Sequence, residues 1–370
     1  MSTQLSCKLS QHWHCIQDNL FPWLEETLGP LSLKHRQVVQ ALDMIRIEAF
    51  LPSRRYTLGR PSADRAAIAR AFIAKAILNL PTTRQLIDRL KVDKVLRQLC
   101  GWECINDVPK EWSFSRAFAE FAKGSLGEKA HEALIHAYQS ERLVGHISRD
   151  ATAIIGREKA LKKPKATSTI KARRGRPKKG EVRVPKALTR LMQQLKMPSV
   201  SKMLRDLPKA CDVGTKVDSK GYKHSWRGYK LHVDTADGEI PIACILTSAS
   251  MHDSQAAIPL ATITAGRVTS CYDVMDAAYD SEIIRNHSTS LGHVPLIDFN
   301  HRSKSDTRAF MPHEAERYKA RSSAERTNAR LKDDLGANFI RVKGHAKVMM
   351  HLMCGVLALT VEQLLRLVPT

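Results

Sequence analysis

Residues 229–246 read YKLHVDTADGEIPIACIL, and this stretch decides the fold class. Its first part, Tyr229 to Asp234, alternates apolar and polar side chains, whereas Ile240 to Leu246 is almost continuously apolar. The Asp237-Gly238 pair between them is a strong hairpin signal, because both residue types tolerate the positive φ angles of a tight turn. The stretch therefore predicts two antiparallel strands joined by a hairpin.

Other strands and helices surround this hairpin. Strands are predicted at Leu143 to Ile155, Ser270 to Met275 and Val294 to Ile297, and helices begin near Asp253, Ser281 and His313. Because helices alternate with the later strands, the pattern predicts a mixed α/β sheet with helices on its faces.

Residues 1–140 are predicted to be all-helical. One helix spans about Asp64 to Leu78, and a second begins after Pro81, where Thr82 can cap it and Gln85 occupies the reciprocal capping-box position. Two short helices around a threonine-rich turn favour either a DNA-binding helix-turn-helix or a small bundle that only packs. The pattern alone does not choose between them.

The charge of the chain indicates a polyanionic partner. Its 370 residues include 59 Lys and Arg against 37 Asp and Glu, a formal net charge of +22. Residues 156–223 hold 21 of these cations and only five of the acids, and they are rich in Pro, Ser and Thr. We therefore predict an inserted, partly disordered basic arm over 156–223, with a short helix near Lys186 to Leu195.

No membrane association and no secretion are predicted. The first residues lack a basic segment followed by an apolar one, and the apolar run Val348 to Val361 is shorter than the roughly 20 residues that a membrane span needs. That run predicts a buried C-terminal helix. The eight cysteines form no CxxC pair and indicate free thiols in a reducing compartment. A zinc site at Cys7, His12, His14 and Cys15 matches no common spacing, and a helical N-terminus explains these residues better.

Two aspartates are candidates for metal-dependent phosphodiester chemistry, which commonly uses carboxylates to hold two Mg²⁺ ions about 3.5–4 Å apart. Asp150 lies inside a predicted strand, and Asp276 lies where another strand ends. Strand-end aspartates are also common turn formers and caps, and Asp280 fits the N-cap of the helix from Ser281. Two further acids compete with these: Asp253, for which helix capping is favoured, and Asp298, at the end of another strand.

A third acid is marked by helical periodicity. At 100° per residue, Tyr318, Arg321, Glu325 and Lys332 lie within about a 60° arc and form a stripe about 21 Å long. A solvated charged face would explain the two cations, but not the aligned Tyr and lone Glu. Glu325 would complete a metal site with the two aspartates, while the three other side chains would contact DNA phosphates.

The basic arm contains a candidate minor-groove segment. Its sequence Arg174-Gly175-Arg176-Pro177 resembles an AT-hook, in which Arg174 and Arg176 would enter the narrow minor groove of A·T-rich DNA. A generic phosphate-binding basic run is the alternative.

The spacing Tyr318-x2-Arg321-x3-Glu325-x6-Lys332 resembles the signature around the third acid of DDE insertion-sequence transposases of the insertion-sequence four and five superfamily. Four other stretches resemble the same family: Gly59 through Trp102 with Trp112 to Arg116, Gly228 to Ser254, Asp276 to Ser281, and Arg341 to Gly344 with the C-terminal helix. The resemblance covers nearly everything except the basic arm.

This resemblance implies a ribonuclease H-like catalytic domain over 141–370, interrupted by the arm at 156–223, after a DNA-binding or dimerisation domain over 1–140. It implies that Asp150, Asp276 and Glu325 hold two Mg²⁺ ions, with Mn²⁺ as a possible substitute. The expected partners are double-stranded DNA, as terminal inverted repeats and target, and a second copy of the chain in an active homodimer. The expected location is the bacterial cytoplasm, near the nucleoid.

Two other functions stay open from the sequence. One is a ribonuclease H-like nuclease that cuts without strand transfer, and the other is a catalytically inactive copy that only binds DNA. Ala277 and Ala278 stand where relatives usually carry a basic residue or Gly. No Trp lies between Asp276 and Glu325, so a hairpin mechanism for the second strand is not supported.

Overall fold

The computed structural model describes residues 3–52, 62–161, 188–217, 220–300 and 309–368. The AT-hook-like segment with Arg174 and Arg176 lies outside the described residues, and so does the Gly59-Arg60-Pro61 motif. Their predicted roles stay predictions.

The described residues before 140 are helical. The helices are α1 (Thr3–Cys15), α2 (Phe21–Leu28), α3 (Leu33–Ile45), α4 (Arg65–Ile77), α5 (Thr83–Val92), α6 (Lys94–Cys100), α7 (Glu111–Lys123) and α8 (Leu126–Gln139). The predicted capping box is confirmed, since the amide of Gln85 donates to Thr82 Oγ1 and the amide of Thr82 donates to Gln85 Oε1, each at 3.2 Å. Ten of the thirteen residues of α4 are buried, so this helix serves as a packing core for its neighbours.

Among the described residues, six strands form one sheet, and its mixed parallel and antiparallel character was predicted. They are β1 (Leu143–Ile155), β2 (Asp212–Val217), β3 (Lys223–Ala236), β4 (Ile240–Ser248), β5 (Thr269–Met275) and β6 (Val294–Ile297). β3 pairs antiparallel with β1, β2 and β4, whereas β5 pairs parallel with both β1 and β6. The order across the sheet is β4-β3-β1-β5-β6, and the first half of β3 pairs with β2.

The hairpin between β3 and β4 confirms the reading of residues 229–246. The turn uses Gly238 at φ 86° and Glu239 at φ 62°, the positive region that a tight hairpin turn requires. β3 begins at Lys223, earlier than the alternating pattern indicated, because its first residues pair with β2 rather than with the core strands.

Helices cover both faces of the sheet. They are α9 (Arg190–Leu195), α10 (Val200–Asp206), α11 (Ser254–Ala265), α12 (Glu282–Ser290), α13 (Pro312–Tyr318), α14 (Ser322–Asp333) and α15 (His345–Leu365). The single long helix predicted from His313 is wrong in one respect. A 3-10 turn at Lys319–Arg321 divides it into α13 and α14, and Ser148 Oγ of β1 donates to the carbonyl of Ala320 within that turn at 2.8 Å.

The described residues in the second half of the predicted basic arm form α9, α10 and β2, and α9 (Arg190–Leu195) confirms the short helix predicted near Lys186 to Leu195. α9 and α10 pack against α11, and Gln194 Nε2 donates to the carbonyl of Gln255 at 2.9 Å. β2 was missed because its six residues are short and of mixed polarity, so only pairing with β3 makes them a strand.

The predicted buried C-terminal helix is confirmed as α15. By length and composition it could cross a membrane, but 83% of its most apolar window is buried, as in the core helix of a folded domain. It packs against α3, α4, α7 and α8 as well as β4. The helical region and the sheet therefore share one core, and the predicted domain division at residue 140 stays a prediction.

The cysteines agree with the sequence analysis. All eight are free thiols. His12 lies 2.9 Å from a carboxylate oxygen of Asp43, and His14 lies 3.7 Å from one of Asp18. The two histidines thus have separate acidic partners, and within the described ranges the N-terminal Cys and His residues form no metal-binding group.

Candidate active site

Asp150 and Asp276 come from adjacent parallel strands. The last paired positions of β1 and β5 are Arg149 and Met275, so the two aspartates are the next residues on strands about 4.8 Å apart. Burial raises the pKa of Asp150, and repulsion from the nearby carboxylate of Asp276 raises it further. The sheet therefore brings together two carboxylates that are far apart in the sequence.

Asp276 ends β5 and opens the next turn. Its Oδ1 accepts a hydrogen bond from the amide of Ala278 at 3.0 Å, which begins the 3-10 turn Ala277–Tyr279. Burial raises the pKa of Asp276, and the charge of Asp253 adds to the shift. The local Asp-Ala-Ala-Tyr sequence thus fixes the carboxylate at the strand end.

Two buried polar side chains beside the acid pair were not predicted. Asn328 of α14 is 6% exposed, and its Nδ2 donates to Asp150 Oδ2 at 3.0 Å. Tyr279 is 1% exposed, and the charges of Asp150, Asp253 and Asp276 all raise the pKa of its hydroxyl, after burial itself. Within the described part of the chain, neither Asn328 Oδ1 nor the Tyr279 hydroxyl has a hydrogen-bond partner.

The sequence did contain a signal for Asn328. At 100° per residue it lies at about 280° from Tyr318, at the edge of the predicted stripe. Tyr279 carried no comparable signal, because only the burial of the turn brings its hydroxyl near the acids.

Arg321 is a cation close to the acidic groups. Its Nη1 donates to Glu325 Oε1 at 2.9 Å. Burial alone would lower the pKa of Arg321, but Tyr318, Glu325, Asp150 and Asp276 together raise it above its usual value. The Arg321 guanidinium therefore partly neutralises the acid cluster.

Tyr318 lies beside Arg321 in the same stripe. Burial raises the pKa of Tyr318 to about 12, and its ring packs on that of Phe310 with centroids 4.8 Å apart.

Glu325 points to Arg321 rather than to the aspartates. No group of three His, Cys, Asp or Glu side chains among the described residues is close enough to hold a metal ion as it stands. The carboxylate of Glu325 is 54% exposed, and an exposed ion pair of this kind contributes only about 0–1 kcal/mol. Rotation of the Glu325 side chain towards Asp150 is therefore inexpensive.

Lys332 continues the stripe as the penultimate residue of α14. Burial lowers its pKa, and the charge of Lys216 on β2 lowers it further, whereas Asp150 opposes the shift. Lys332 therefore lies within electrostatic range of the site. The 3-10 turn after α13 does not separate Tyr318 and Arg321 from the two later members of the stripe.

The competing acids have other partners. Asp253 does not cap α11 with its side chain, so that prediction was wrong; it pairs with Lys230 Nζ at 2.7 Å. Asp280 is not the N-cap of α12, which is Ser281, because the Asp280 carboxylate pairs with Arg285 at 3.0 Å. Asp298 ends β6, one strand further from Asp150 than Asp276 is.

A buried ion pair lies on the opposite face of β1. Arg149, beside Asp150, donates from Nε and Nη2 to the two carboxylate oxygens of Asp234 at 2.8 and 2.7 Å. Thr264 of α11 donates to Asp234 at 2.6 Å, and Arg149 Nη1 lies 3.3 Å from the sulfur of Met275. This pair ties β3, β1, β5 and α11 together directly beneath the two aspartates.

Two family models match this chain. Residues 206–361 match the Transposase DDE domain, and residues 26–120 match the Transposase domain (DUF772). The chain belongs to the insertion-sequence DDE transposases. No curated protein and no solved structure matches it significantly.

The Transposase DDE domain match covers two of the three candidate acids. The DDE-domain match includes Asp276 and Glu325, whereas Asp150 precedes it on β1. The protein is therefore an enzyme that acts on DNA, and divalent metal ions and strand transfer are general to its family.

Replacing Asn328 by Ala is expected to lower the rate of DNA nicking by about 10- to 100-fold, because residues that orient metal ligands have effects of this size. The half-saturating Mg²⁺ concentration should rise as well, since Asp150 loses the hydrogen bond that orients it. Mg²⁺ titration of the nicking rate measures both effects.

Asn328→Asp keeps the size of the side chain but cannot donate to Asp150 when ionised, so it should be at least as impaired. Asn338→Ala, at an exposed position after α14, is the control. Normal Mg²⁺ dependence in both Asn328 variants would show that the hydrogen bond does not orient Asp150.

Proposed function

We propose that this transposase cuts and joins DNA with a divalent-metal site formed by Asp150, Asp276 and Glu325. The observation that supports it most strongly is the side-by-side placement of Asp150 and Asp276, two half-buried carboxylates whose pKa values are both raised. Such a pair binds protons or a cation more readily than isolated carboxylates do. Glu325 of α14 is the third acid, and it forms an exposed ion pair with Arg321 instead of contacting the aspartates.

The sheet supports a ribonuclease H-like core as the framework of the site. Three antiparallel strands, β4, β3 and β1, are followed by the parallel strands β5 and β6. Asp150 lies on the first strand, Asp276 follows β5, and Glu325 lies on a late helix, which is the arrangement that the family resemblance implies.

The donor atoms fit Mg²⁺. It prefers hard oxygen ligands and is commonly bound by one or two protein carboxylates together with substrate phosphates. Asp150 and Asp276 supply the carboxylates, and the unpartnered Asn328 Oδ1 and Tyr279 hydroxyl add oxygen atoms beside them. When bound, the metal ions would activate the attacking hydroxyl and neutralise the charge that develops on the phosphate. We propose two Mg²⁺ ions, replaceable by Mn²⁺.

The cations of the stripe would hold the DNA strand. Arg321 is already surrounded by acidic groups, and entry of metal ions would release it from them to contact a phosphate. Lys332 would contact another phosphate further along α14, and Tyr318 would donate a hydrogen bond. Arg174 and Arg176 are proposed to contact the minor groove outside the core.

The remaining proposals concern the assembly. An active homodimer would bring two transposon ends together, with target DNA as the third partner, and the expected site of action is the cytoplasm near the nucleoid. The N-terminal helices would contribute DNA binding or dimerisation.

Glu325→Gln tests the assignment of the third acid. We expect nicking of a duplex carrying the insertion-sequence end to fall to background in Mg²⁺, because the amide cannot replace a negatively charged ligand. Duplex binding should change by less than threefold. Gel analysis of nicked strands measures the first effect, and fluorescence anisotropy measures the second.

The matched control is Glu316→Gln on α13, an exposed carboxylate that pairs with Lys319. The same gels score joining of cleaved ends to a target plasmid. Nicking by Glu325→Gln at the native rate would show that Glu325 is not part of the metal site. Cleavage without joining by the native protein would favour a nuclease.

A further inference from the structure

A second cationic surface lies where β1 ends, beyond the proposed active site. Residues of α4, α5, α7 and α15, together with the segments around Arg157 and Arg341, enclose a groove of about 550 Å³, here called the basic groove. It is lined by six cationic side chains and one carboxylate: Lys75, Arg84, Arg157, Arg341, Lys343, Lys347 and Glu111. Its charge favours an anionic ligand.

Lys75 is the unusual member of this groove. It is only 8% exposed, yet its ammonium makes no hydrogen bond or ion pair with any residue that the structure describes. Burial lowers the pKa of Lys75 to about 8, and burial together with the charge of Lys75 lowers the pKa of the adjacent His351 to about 4. Burying a cation without a counter-charge is costly. A bound anionic ligand would therefore supply the counter-charge that Lys75 lacks among the described residues.

The backbone around the groove favours a phosphate. α5 begins at Thr83 and α15 begins at His345, and the first turns of both helices contribute to the lining. Helix N-termini carry partial positive charge and exposed amides, which suit phosphate oxygens. Arg84 is paired with Glu111, whereas Arg341 and Lys343 are exposed at the rim.

The groove lies within reach of DNA bound at the active site. Ile155, the last residue of β1, is five residues beyond Asp150, which is about 17 Å along the strand. Arg157 follows two residues later and donates to the carbonyl of Arg341 at 3.3 Å. Because B-DNA rises 3.4 Å per base pair, this distance along β1 corresponds to about five base pairs.

We propose that the basic groove binds backbone phosphates of the same DNA duplex that is cut at Asp150 and Asp276, with Lys75 as the buried counter-charge of one of them. This inference rests on the proposed function for the position of the cut. Lys75 would fix the distance between the clamped phosphate and the scissile bond without reading any base.

Lys75→Met and the double variant Arg341→Gln with Lys343→Gln test this proposal. The probe is a mixed-sequence DNA duplex, and its affinity is measured by anisotropy at several salt concentrations. Each lost phosphate contact should reduce the slope of log Kd against log salt by about 0.9. We expect one such step for Lys75→Met and about two for the double variant. Lys91→Met, on the exposed end of α5, should leave the slope unchanged.

Folding and catalysis are kept separate from binding in this test. Methionine removes a buried unpaired charge, so the Tm of Lys75→Met should not fall. If the Tm of Lys75→Met does fall, the salt slope of the double variant, whose two substitutions are exposed, tests the proposal instead. Failure of the proposed active site would appear as normal nicking in the acid variants, whereas failure of the groove would appear as unchanged salt slopes in Lys75→Met and the double variant. Unchanged slopes in both groove variants would overturn the proposal. A second result would also overturn it. If inorganic phosphate raised the Tm of the native chain but not that of Lys75→Met, and both proteins bound duplex equally well, the ligand of the groove would be a small phosphate rather than DNA.

Discussion

Asp150→Asn is expected to abolish Mg²⁺-dependent nicking while leaving the fold intact. A bound metal ion supplies several kcal/mol of transition-state stabilisation, and each 1.36 kcal/mol corresponds to a factor of ten, so the rate should fall by at least about 10³-fold. Asparagine has the same shape and still accepts the hydrogen bond from Asn328. Duplex binding should therefore persist, and single-turnover nicking measures the loss.

The same variant should be more stable than the native protein when metal is absent. The folded-state pKa of Asp150 lies above its ordinary value, so the group favours folding at low pH, and this contribution is lost as the pH rises through the folded pKa. At neutral pH the ionised carboxylate is therefore destabilising, and Asn should raise the Tm. The gain should shrink as the pH approaches the ordinary pKa of aspartate.

Asp298→Asn is the matched control for Asp150→Asn, because it changes a strand-end aspartate on β6 rather than β1. It should retain nicking, and Mg²⁺ should raise its Tm as it does that of the native protein, whereas Asp150→Asn should lose this Mg²⁺ response. Native nicking by Asp150→Asn, or loss of nicking in Asp298→Asn alone, would contradict the assignment of Asp150.

Asp234→Asn is expected to lower the free energy of unfolding by about 3–5 kcal/mol, the usual effect of breaking a buried ion pair by removing one partner. Arg149 and Asp234 are 1% and 0% exposed at their side chains, so the guanidinium would stay buried without its counter-charge. Chemical denaturation followed by circular dichroism measures the change.

Glu316→Gln is the control for the loss of unfolding free energy in Asp234→Asn. Its ion pair with Lys319 is 72% exposed at both side chains and should contribute less than about 1 kcal/mol. The double variant Arg149→Met with Asp234→Leu should recover part of the loss, because it removes both charges. An Asp234→Asn protein as stable as the native one would show that the pair does not hold β1 against β3.

The local patterns predicted most of the secondary structure. The hairpin at Asp237-Gly238, the capping box at Thr82 and the strands β1 and β6 follow from turn chemistry, capping and alternation between neighbours in the sequence. β2 and the break after α13 could not be predicted in this way. Their conformations depend on pairing with β3 and on a contact with Ser148, which are distant along the chain.

For the site, the sequence by itself determined which acids were candidates, because Asp150 lies inside a predicted strand, Asp276 lies where another strand ends, and Glu325 lies on a periodic stripe. Only the tertiary structure decided that Asp150 and Asp276 are neighbours, that Asn328 binds Asp150, and that Lys75 is buried with no anionic partner among the described residues. The physical reason is that periodicity records which face of an element a residue occupies, whereas proximity and desolvation are properties of how different elements pack.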